Sequence, residues 1–225
     1  MQNIISKAVL LLSGGQDSTT CLFWAKQRFK EVYAIGFDYG QSHKQELIQS
    51  VKIAKKTGIE YKIFDVKGLL AKSSLTEHSD HNKPLEINSE LPASFTAGRN
   101  ILFLTIAGSY AAEIGAKDII TGICQTDYLG YPDCRRNTID AVQLSLSLGL
   151  GIEDVRIHTP LMYLTKAETW RLAKELNCLE IIIKDTMTDY NGEMKMNEWG
   201  MGNENNPATA LRVKGFYEAK QNNWI

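Results

Sequence analysis

The sequence predicts an α/β protein built on a Rossmann-like, doubly wound parallel sheet. Short apolar segments alternate with helix-prone segments along most of its 225 residues. The first apolar segment runs directly into a loop that contains two adjacent glycines. A hydrophobic content of 44% supplies the core of one domain and leaves room for only a small appendage.

The first third of the chain predicts strand, helix, strand, helix, strand. The strands are KAVLLL (7–12), EVYAIGF (31–37) and EYKIFDV (60–66). The helical segments between them are TTCLFWAKQRFK (19–30) and KQELIQSVKIAKKTG (44–58). This order predicts parallel strands with helices on both faces of the sheet.

The alternation then pauses at a polar stretch and resumes. Residues 68–92 are longer than an ordinary connection and rich in Ser, Asn and Asp, which predicts a mobile loop or lid. A helix over 101–114 and a strand over 118–123 follow. A further helix is predicted over 139–148 and a last strand over 155–161.

The end of the chain differs in composition from the rest. Thr165 and Glu168 form a capping-box pattern at the start of KAETWRLAKEL. Beyond about residue 185, Asn, Gly and Met replace the periodic apolar residues until a helix over 211–220. We therefore predict an α/β domain over 1–184 and a small helical or irregular C-terminal tail over 185–225.

Composition narrows the function classes. The formal net charge of −1 gives no basic excess for a large nucleic-acid surface, which favours a small-molecule substrate. No apolar run approaches the ~20 residues that span a bilayer, and the first residues show no small-residue cleavage site, so we predict a cytoplasmic protein without a membrane partner. The four cysteines form no CxxC pair, which indicates neither a disulfide framework nor a zinc cluster.

The loop SGGQDS (13–18) is the strongest functional signal. Two glycines allow backbone N–H groups to turn inward, two serines add hydroxyls, and the start of a helix adds its positive dipole end. These are the requirements of a phosphate site. The loop lacks the lysine of the Walker motif and the third glycine of the dinucleotide motif. The alternative is an ordinary polar turn between a strand and a helix.

Three further loops are expected at the same edge of the sheet, because ligands lie beyond the carboxyl ends of parallel strands. They are DYGQSHKQE (38–46), TAGRN (96–100) and CQTDYLGYPDCRRN (124–137). Arg99 is suited to a bidentate pair with a phosphate or carboxylate, or equally to a surface salt bridge. The last loop is dense in Tyr, Asp and Arg, which can stack on a planar heterocycle, hold magnesium and pair with an anion.

Six ordered motifs together resemble the 7-cyano-7-deazaguanine synthase family of the pyrophosphate-loop (PP-loop) ATP pyrophosphatases. The motifs are SGGQDSTTCL, FDYGQSHKQE, GRNILFLTIA, GICQTDYLGYPDCR, TPLMYLTKAETWRLA and DTMTDYNG. The resemblance implies the adenine nucleotide alpha hydrolase-like fold. It also implies a ligase of queuosine biosynthesis that makes the nitrile from 7-carboxy-7-deazaguanine, ammonia and two ATP, through adenylated intermediates.

The loops and the resemblance together give the expected site residues. The ATP-binding candidates are Leu12, Ser13, Gly14, Gly15, Gln16, Asp17, Ser18, Thr19, Thr20, Phe37 and Tyr39. The substrate-binding candidates are Gly98, Arg99, Asn100, Asp127, Tyr131, Asp133 and Arg135. Asp17, Arg99 and Lys166 are the catalytic candidates, with Asp17 acting through Mg²⁺, although Lys166 could equally be a solvated lysine in a first helical turn.

The chain departs from the family where the family has four zinc-binding cysteines. Those positions hold Asp189, Asn203, Asn206 and Thr209. Asparagine and threonine are poor zinc ligands and one carboxylate cannot hold the ion, so we expect ATP and Mg²⁺ but no zinc. Family likeness further implies a homodimer that uses free ammonia. Two alternatives remain: an adenylating paralogue that stops at the amide or transfers the acyl group to another amine, and a noncatalytic nucleotide-binding regulator.

Overall fold

The computed structural model describes residues 6–41, 44–70, 73, 91, 95–126, 131–188, 195–204 and 207–225. Its centre is a parallel sheet of five strands in the order β3-β2-β1-β4-β5. The strands are β1 (Lys7–Leu11), β2 (Glu31–Asp38), β3 (Glu60–Asp65), β4 (Asp118–Ile120) and β5 (Arg156–His158). The strand order reverses direction at β1, which places the expected ligand crevice beyond the carboxyl end of that strand.

Helices cover both faces of the sheet, which confirms the doubly wound α/β prediction. The helices are α1 (Gln16–Lys26), α2 (Gln45–Thr57), α3 (Arg99–Ile114), α4 (Arg136–Leu150), α5 (Lys166–Glu175), α6 (Leu179–Asp185) and α7 (Pro207–Gln221). Alternate residues of β1 enter opposite cores. Val9 packs in the cluster that includes Leu104 of α3, whereas Leu10 packs in the cluster that includes Leu22 of α1 and Ile53 of α2.

The C-terminal part forms a third apolar cluster rather than an isolated appendage. Trp170 of α5 and Phe216 of α7 have ring centroids 5.1 Å apart and are both buried. A short antiparallel hairpin, β6 (Met196–Asn197) and β7 (Gly200–Met201), precedes α7. The domain boundary between residues 184 and 185 stays a prediction, since α6 ends at Asp185.

The capping box at the start of α5 is confirmed. The Thr165 hydroxyl accepts a hydrogen bond from Glu168 N at 3.2 Å, and Glu168 Oε2 accepts one from Thr165 N at 2.8 Å. The bond from the backbone N–H of Thr165 lowers the pKa of the Glu168 carboxyl. This cap fixes where α5 begins and therefore where Lys166, its first residue, lies.

The last two strands are shorter than the sequence predicts, whereas α3, α4 and α7 are longer than predicted. The apolar stretches 118–123 and 155–161 predicted longer strands, but β4 ends at Ile120 and β5 at His158. Beyond the last ladder bond, from Thr121 N to His158 O, the chain leaves the sheet to form the wall of a cavity. The predicted lid over 68–92 lies almost wholly outside the described residues. Within the described residues, no helix is long and apolar enough to span a bilayer.

Candidate active site

The loop between β1 and α1 is held by its own serines. Ser13 N donates to Ser18 Oγ at 3.2 Å, and the two serine hydroxyl oxygens lie 3.1 Å apart. Gly15 N donates to Ser13 Oγ at 3.4 Å. Because α1 begins at Gln16, the positive end of its dipole lies at this loop. The arrangement has the donors that a pyrophosphate group requires.

Gly14 occupies a position that only glycine fits. Its φ is +89°, in the left-handed region. A Cβ atom built there would lie 2.4 Å from the carbonyl oxygen of Glu46 and 2.8 Å from Ser50 N. Since both neighbours are backbone atoms of α2, they cannot rotate out of the way. The glycine therefore allows the phosphate loop to pack directly on α2.

Asp17 and Lys166 form an ion pair at the mouth of the loop. Lys166 Nζ lies 2.9 Å from Asp17 Oδ2, and the lysine side chain is only 12% exposed. Lys166 is thus not a solvated surface lysine. The second oxygen, Asp17 Oδ1, is buried and has no hydrogen-bond partner in the described part of the chain. A carboxylate oxygen left in this state beside a phosphate loop is suited to a hard cation such as Mg²⁺.

The loop forms one wall of a cavity of about 310 Å³ at the carboxyl ends of the strands. The expected site residues that line it are Leu12, Ser13, Gly15, Gln16, Asp17, Ser18, Phe37, Tyr39, Arg99, Asn100, Tyr131 and Lys166. Four separate loops and the start of α5 therefore meet at one cavity, as the sheet topology predicts. The expected residues that do not line it are Gly14, Thr19, Thr20, Gly98, Asp133 and Arg135. Asp127 lies outside the described residues.

The aromatic side of the cavity is already packed. The ring of Phe37 stacks on Phe103 with centroids 4.0 Å apart and planes 5° apart. The phenol of Tyr39 is hydrogen-bonded by Arg99, and burial of the phenol raises its pKa. Arg99 therefore lies at the cavity with a hydrogen bond to an aromatic neighbour, and its role as a phosphate or carboxylate ligand stays a prediction. The assignment of Phe37 and Tyr39 to adenine stays a prediction.

Asp133 has a supporting position rather than one on the cavity surface. Residues 132–134 form a 3₁₀ turn that directs this buried carboxylate toward the start of α3. Asp133 Oδ2 accepts a hydrogen bond from Asn100 N at 3.1 Å, and Asn100 Nδ2 donates to Cys134 Sγ at 3.3 Å. Arg135, the residue before α4, is exposed. Asp133 thus orients Asn100, which does line the cavity.

Comparison with known proteins decides the family. The family described as queuosine biosynthesis protein QueC matches residues 7–220. The chain belongs to the QueC family. It is 49% identical over 188 residues to the 7-cyano-7-deazaguanine synthase of Shouchella clausii, covering 83% of this chain and 84% of that one.

A second synthase matches a larger share of the chain. The chain is 46% identical over 216 residues to the 7-cyano-7-deazaguanine synthase of Phocaeicola vulgatus, covering 94% of this chain and 93% of that one. Among solved structures it aligns with NMN synthetase from Francisella tularensis at a TM-score of 0.47 and 14% identity, over 96% of this chain and 86% of that one. The two relatives therefore match 83% and 94% of this chain.

Several cavity residues of this QueC family member were not among the sequence candidates. They are Gln41, Glu46, Thr121, Thr188, Ala208 and Leu211, with others from the strand ends. Gln41 Oε1 accepts a hydrogen bond from Tyr39 N at 3.0 Å, which fixes the loop after β2. Thr188 belongs to the motif DTMTDYNG, and this motif was the available signal that the tail reaches the site. Ala208 and Leu211 carried no such signal, because their contact with the cavity depends on how α7 packs.

Three of the four cysteines, Cys21, Cys134 and Cys178, have thiols with a raised pKa. Burial, with a smaller effect of the Asp133 charge, raises the pKa of Cys134 to about 12. Burial likewise raises the pKa of Cys178 to about 12 and that of Cys21 well above its ordinary value. Of these three thiols only that of Cys134 lines the cavity, and its raised pKa does not suit a thiolate nucleophile.

Two of the four positions expected from the resemblance to hold zinc ligands, Asn203 and Thr209, lie within the described residues. Thr209 is buried, and its hydroxyl donates to Thr188 O at 3.4 Å. Asn203 is half-buried, while Asp189 and Asn206 lie outside the described residues. Across the ranges described, no three His, Cys, Asp or Glu side chains group as metal ligands. The donors present do not match a tetrahedral zinc site.

Proposed function

We propose that this chain is an ATP-dependent 7-cyano-7-deazaguanine synthase, which converts 7-carboxy-7-deazaguanine and ammonia to the nitrile. The observation that carries the proposal is the serine-braced phosphate loop with the Asp17–Lys166 pair beside it, in a cavity formed by a member of the QueC family. The alternative that stops at the amide has no such specific support.

In the first step a carboxylate oxygen of the acid attacks the α-phosphorus of ATP, and pyrophosphate leaves. Ser13, Gly15 and Ser18 line the cavity, and in this step the loop would exchange its internal hydrogen bonds for bonds to the departing pyrophosphate, whose charge increases in the transition state. Lys166 and Arg99 both line the cavity and supply positive charge near the reacting phosphate. Asn100 and Tyr131 face the space left for the deazaguanine.

The carboxylate of Asp17 would hold Mg²⁺ together with phosphate oxygens of ATP. Its buried and unpaired Oδ1 atom supports this role, while Oδ2 stays with Lys166. The ion, when bound, neutralises charge on the phosphates as the α,β bond breaks. Lys166 keeps the carboxylate oriented toward the loop.

The later steps follow from the chemistry of the product. Ammonia attacks the acyl carbon, AMP leaves, and the amide forms. A second ATP adenylates the amide oxygen with release of pyrophosphate, and loss of AMP with a proton from nitrogen gives the nitrile. Both activations require the same in-line attack on an α-phosphate, so one phosphate loop serves both.

One assay tests the proposal. Purified protein is supplied with 7-carboxy-7-deazaguanine, ammonium, ATP and Mg²⁺, and AMP and the deazaguanine products are quantified by mass spectrometry. We expect about two AMP for each nitrile, because two oxygen atoms leave the carboxyl carbon and each must first receive an AMP group. One AMP for each amide would contradict the nitrile synthase and support the amide-forming alternative. No AMP with substrate present would contradict adenylation altogether and support a regulator.

We also propose that the protein works without zinc. Elemental analysis of purified protein should give less than about 0.1 zinc per chain, because Asn203 and Thr209 supply no thiolate. The control restores the family's ligands in one variant, Asp189→Cys, Asn203→Cys, Asn206→Cys and Thr209→Cys. It should take up about one zinc per chain. Stoichiometric zinc in the unaltered protein, with a fall in Tm when it is chelated, would contradict the proposal.

The remaining assignments rest on the family relationship. We propose a homodimer that takes free ammonia and acts in the cytoplasm, where ATP is available. A net charge of −1 gives no support for a nucleic-acid partner.

A further inference from the structure

Arg212 of α7 is a fully buried cation with neutral partners. Its side chain is 0% exposed. Arg212 Nε donates to Trp199 O at 3.1 Å, and Nη2 donates to Ile182 O at 2.8 Å. Nη1 donates to the hydroxyl oxygens of Thr186 at 2.9 Å and of Thr188 at 3.1 Å. All four acceptors are uncharged oxygens. The guanidinium also lies 5.5 Å from the centroid of the Trp170 ring, and the negative charge of Asp17 favours its charged form.

Burying a charged guanidinium in a protein core is unfavourable because the charge loses its hydration. Burial lowers the pKa of Arg212 to about 10, which still leaves the guanidinium charged at neutral pH. An apolar side chain of similar volume would avoid this desolvation. What the guanidinium provides is direction, because its planar donors fix two threonine hydroxyls and two carbonyls at once.

The segment 186–188 connects Arg212 to the phosphate loop. Met187 N donates to Gly14 O at 3.1 Å, so this segment closes the back of the loop. The Cβ position of Gly15 lies 3.4 Å from Met187 O and 3.9 Å from Thr188 Oγ1. Thr188 also lines the cavity. The guanidinium thus binds the residues on either side of Met187, whose amide donates to the loop.

The same helix also contacts Lys166. A Cβ atom at Gly215 would lie 2.7 Å from Lys166 Cβ, so α7 and the first turn of α5 are in the closest possible contact. Trp170 Nε1 donates to Arg212 O at 3.2 Å, which fixes α7 against α5 at the same level. One helix therefore supports both the loop and the lysine that pairs with Asp17.

From these contacts we infer that Arg212 is a positioning residue for ATP: through Thr186, Thr188 and Met187 it holds the phosphate loop in the geometry that binds the pyrophosphate end of the nucleotide. The inference rests on the proposed function and deepens it. It assigns to the C-terminal helix α7 a role in nucleotide binding.

The test uses an isosteric variant of a residue that does not line the cavity. Thr186→Val removes the hydroxyl that accepts from Arg212 and changes little else. Thr57→Val is the matched control, because both hydroxyls donate to the carbonyl four residues earlier, Thr186 to Ile182 and Thr57 to Ile53. Thr57, at the end of α2, has no arginine partner among the described contacts. Thr186→Ser keeps the hydroxyl and should restore wild-type behaviour. Arg212→Lys is the stronger variant.

Binding of α,β-methylene ATP with Mg²⁺ is measured by titration calorimetry, together with KM for ATP, KM for the carboxylate substrate and Tm. We expect Thr186→Val to weaken analogue binding and raise KM for ATP about fivefold, and Arg212→Lys to do so at least about tenfold. KM for the carboxylate substrate should stay within about twofold of the wild-type value. Thr57→Val should lower Tm but leave the analogue affinity and both KM values unchanged.

The outcomes separate the two claims. If wild-type protein binds the analogue and Thr186→Val binds it equally well, Arg212 has only a structural role and the inference is wrong. If both threonine variants weaken binding equally, the effect is one of stability and the inference is again wrong. If wild-type protein binds no analogue, the proposed function falls as well. Should Arg212→Lys fail to fold, the Thr186 series still decides.

Discussion

Asp17→Asn should lower the rate of AMP formation by roughly 100- to 1,000-fold while leaving the fold intact. The substitution keeps the shape of the side chain but removes its charge. Lys166, only 12% exposed, then loses the partner that lies 2.9 Å from its Nζ atom. The oxygen proposed to hold Mg²⁺ becomes a weaker ligand at the same time. The measurement is the initial rate of AMP release with saturating substrate, with circular dichroism and Tm as checks on folding.

Asp140→Asn is the control for this loss. Asp140 also forms an ion pair, with Arg136, but its side chain is 60% exposed and it does not line the cavity. Exposed pairs contribute at most about 1 kcal/mol, so this variant should retain activity within about twofold. A rate for Asp17→Asn equal to that of the control would remove Asp17, and with it the Asp17–Lys166 pair, from the mechanism.

Gly14→Ala should abolish ATP binding, and we expect the second-largest effect here. The added Cβ would lie 2.4 Å from Glu46 O and 2.8 Å from Ser50 N, in a backbone conformation with φ of +89°. The left-handed conformation alone costs an alanine about 1–2 kcal/mol. The contact with α2 cannot be relieved by a rotamer, so the loop itself must move. Calorimetric titration with α,β-methylene ATP and Mg²⁺ measures the loss.

Gly58→Ala separates the two causes. Gly58 ends α2 with φ of +68°, and a Cβ atom there would meet nothing within 4 Å. An alanine at position 58 therefore adopts the same unfavourable left-handed conformation, but its Cβ atom makes no close contact. It should lower Tm by a few degrees and leave analogue affinity unchanged. Equal losses of affinity in Gly14→Ala and Gly58→Ala would show that the close approach of loop and α2 does not matter for binding.

Local pattern was sufficient wherever an element is long or a motif is continuous. The strand, loop and helix from Lys7 to Lys26 were predictable because a buried strand, two glycines and a helix start follow one another without interruption. The capping box of Thr165 and Glu168 was predictable because its two partners are three residues apart. By contrast, α6 and the β6–β7 hairpin are too short to show a period, so no local pattern predicted them.

For the loop over 124–137, composition alone did not predict which side chains line the cavity. Its density of polar residues correctly indicated a place in the cavity for Tyr131, but it did not distinguish that residue from Asp133 or Arg135. The 3₁₀ turn at 132–134 decides which side chains turn inward, and Asp133 binds the backbone of Asn100 instead of facing the cavity. Side-chain direction in a turn depends on the contacts that the turn finds in the folded protein.

From the sequence alone came the sheet, the glycine-rich loop and the family, because each rests on motifs of neighbouring residues. Only the tertiary structure decided that Lys166 pairs with Asp17, 149 positions away. The same holds for Arg212, which reaches the back of the phosphate loop through Thr186 and Thr188. Contacts between residues so far apart are set by how helices pack on the sheet, and a single sequence contains no local pattern that reports that packing.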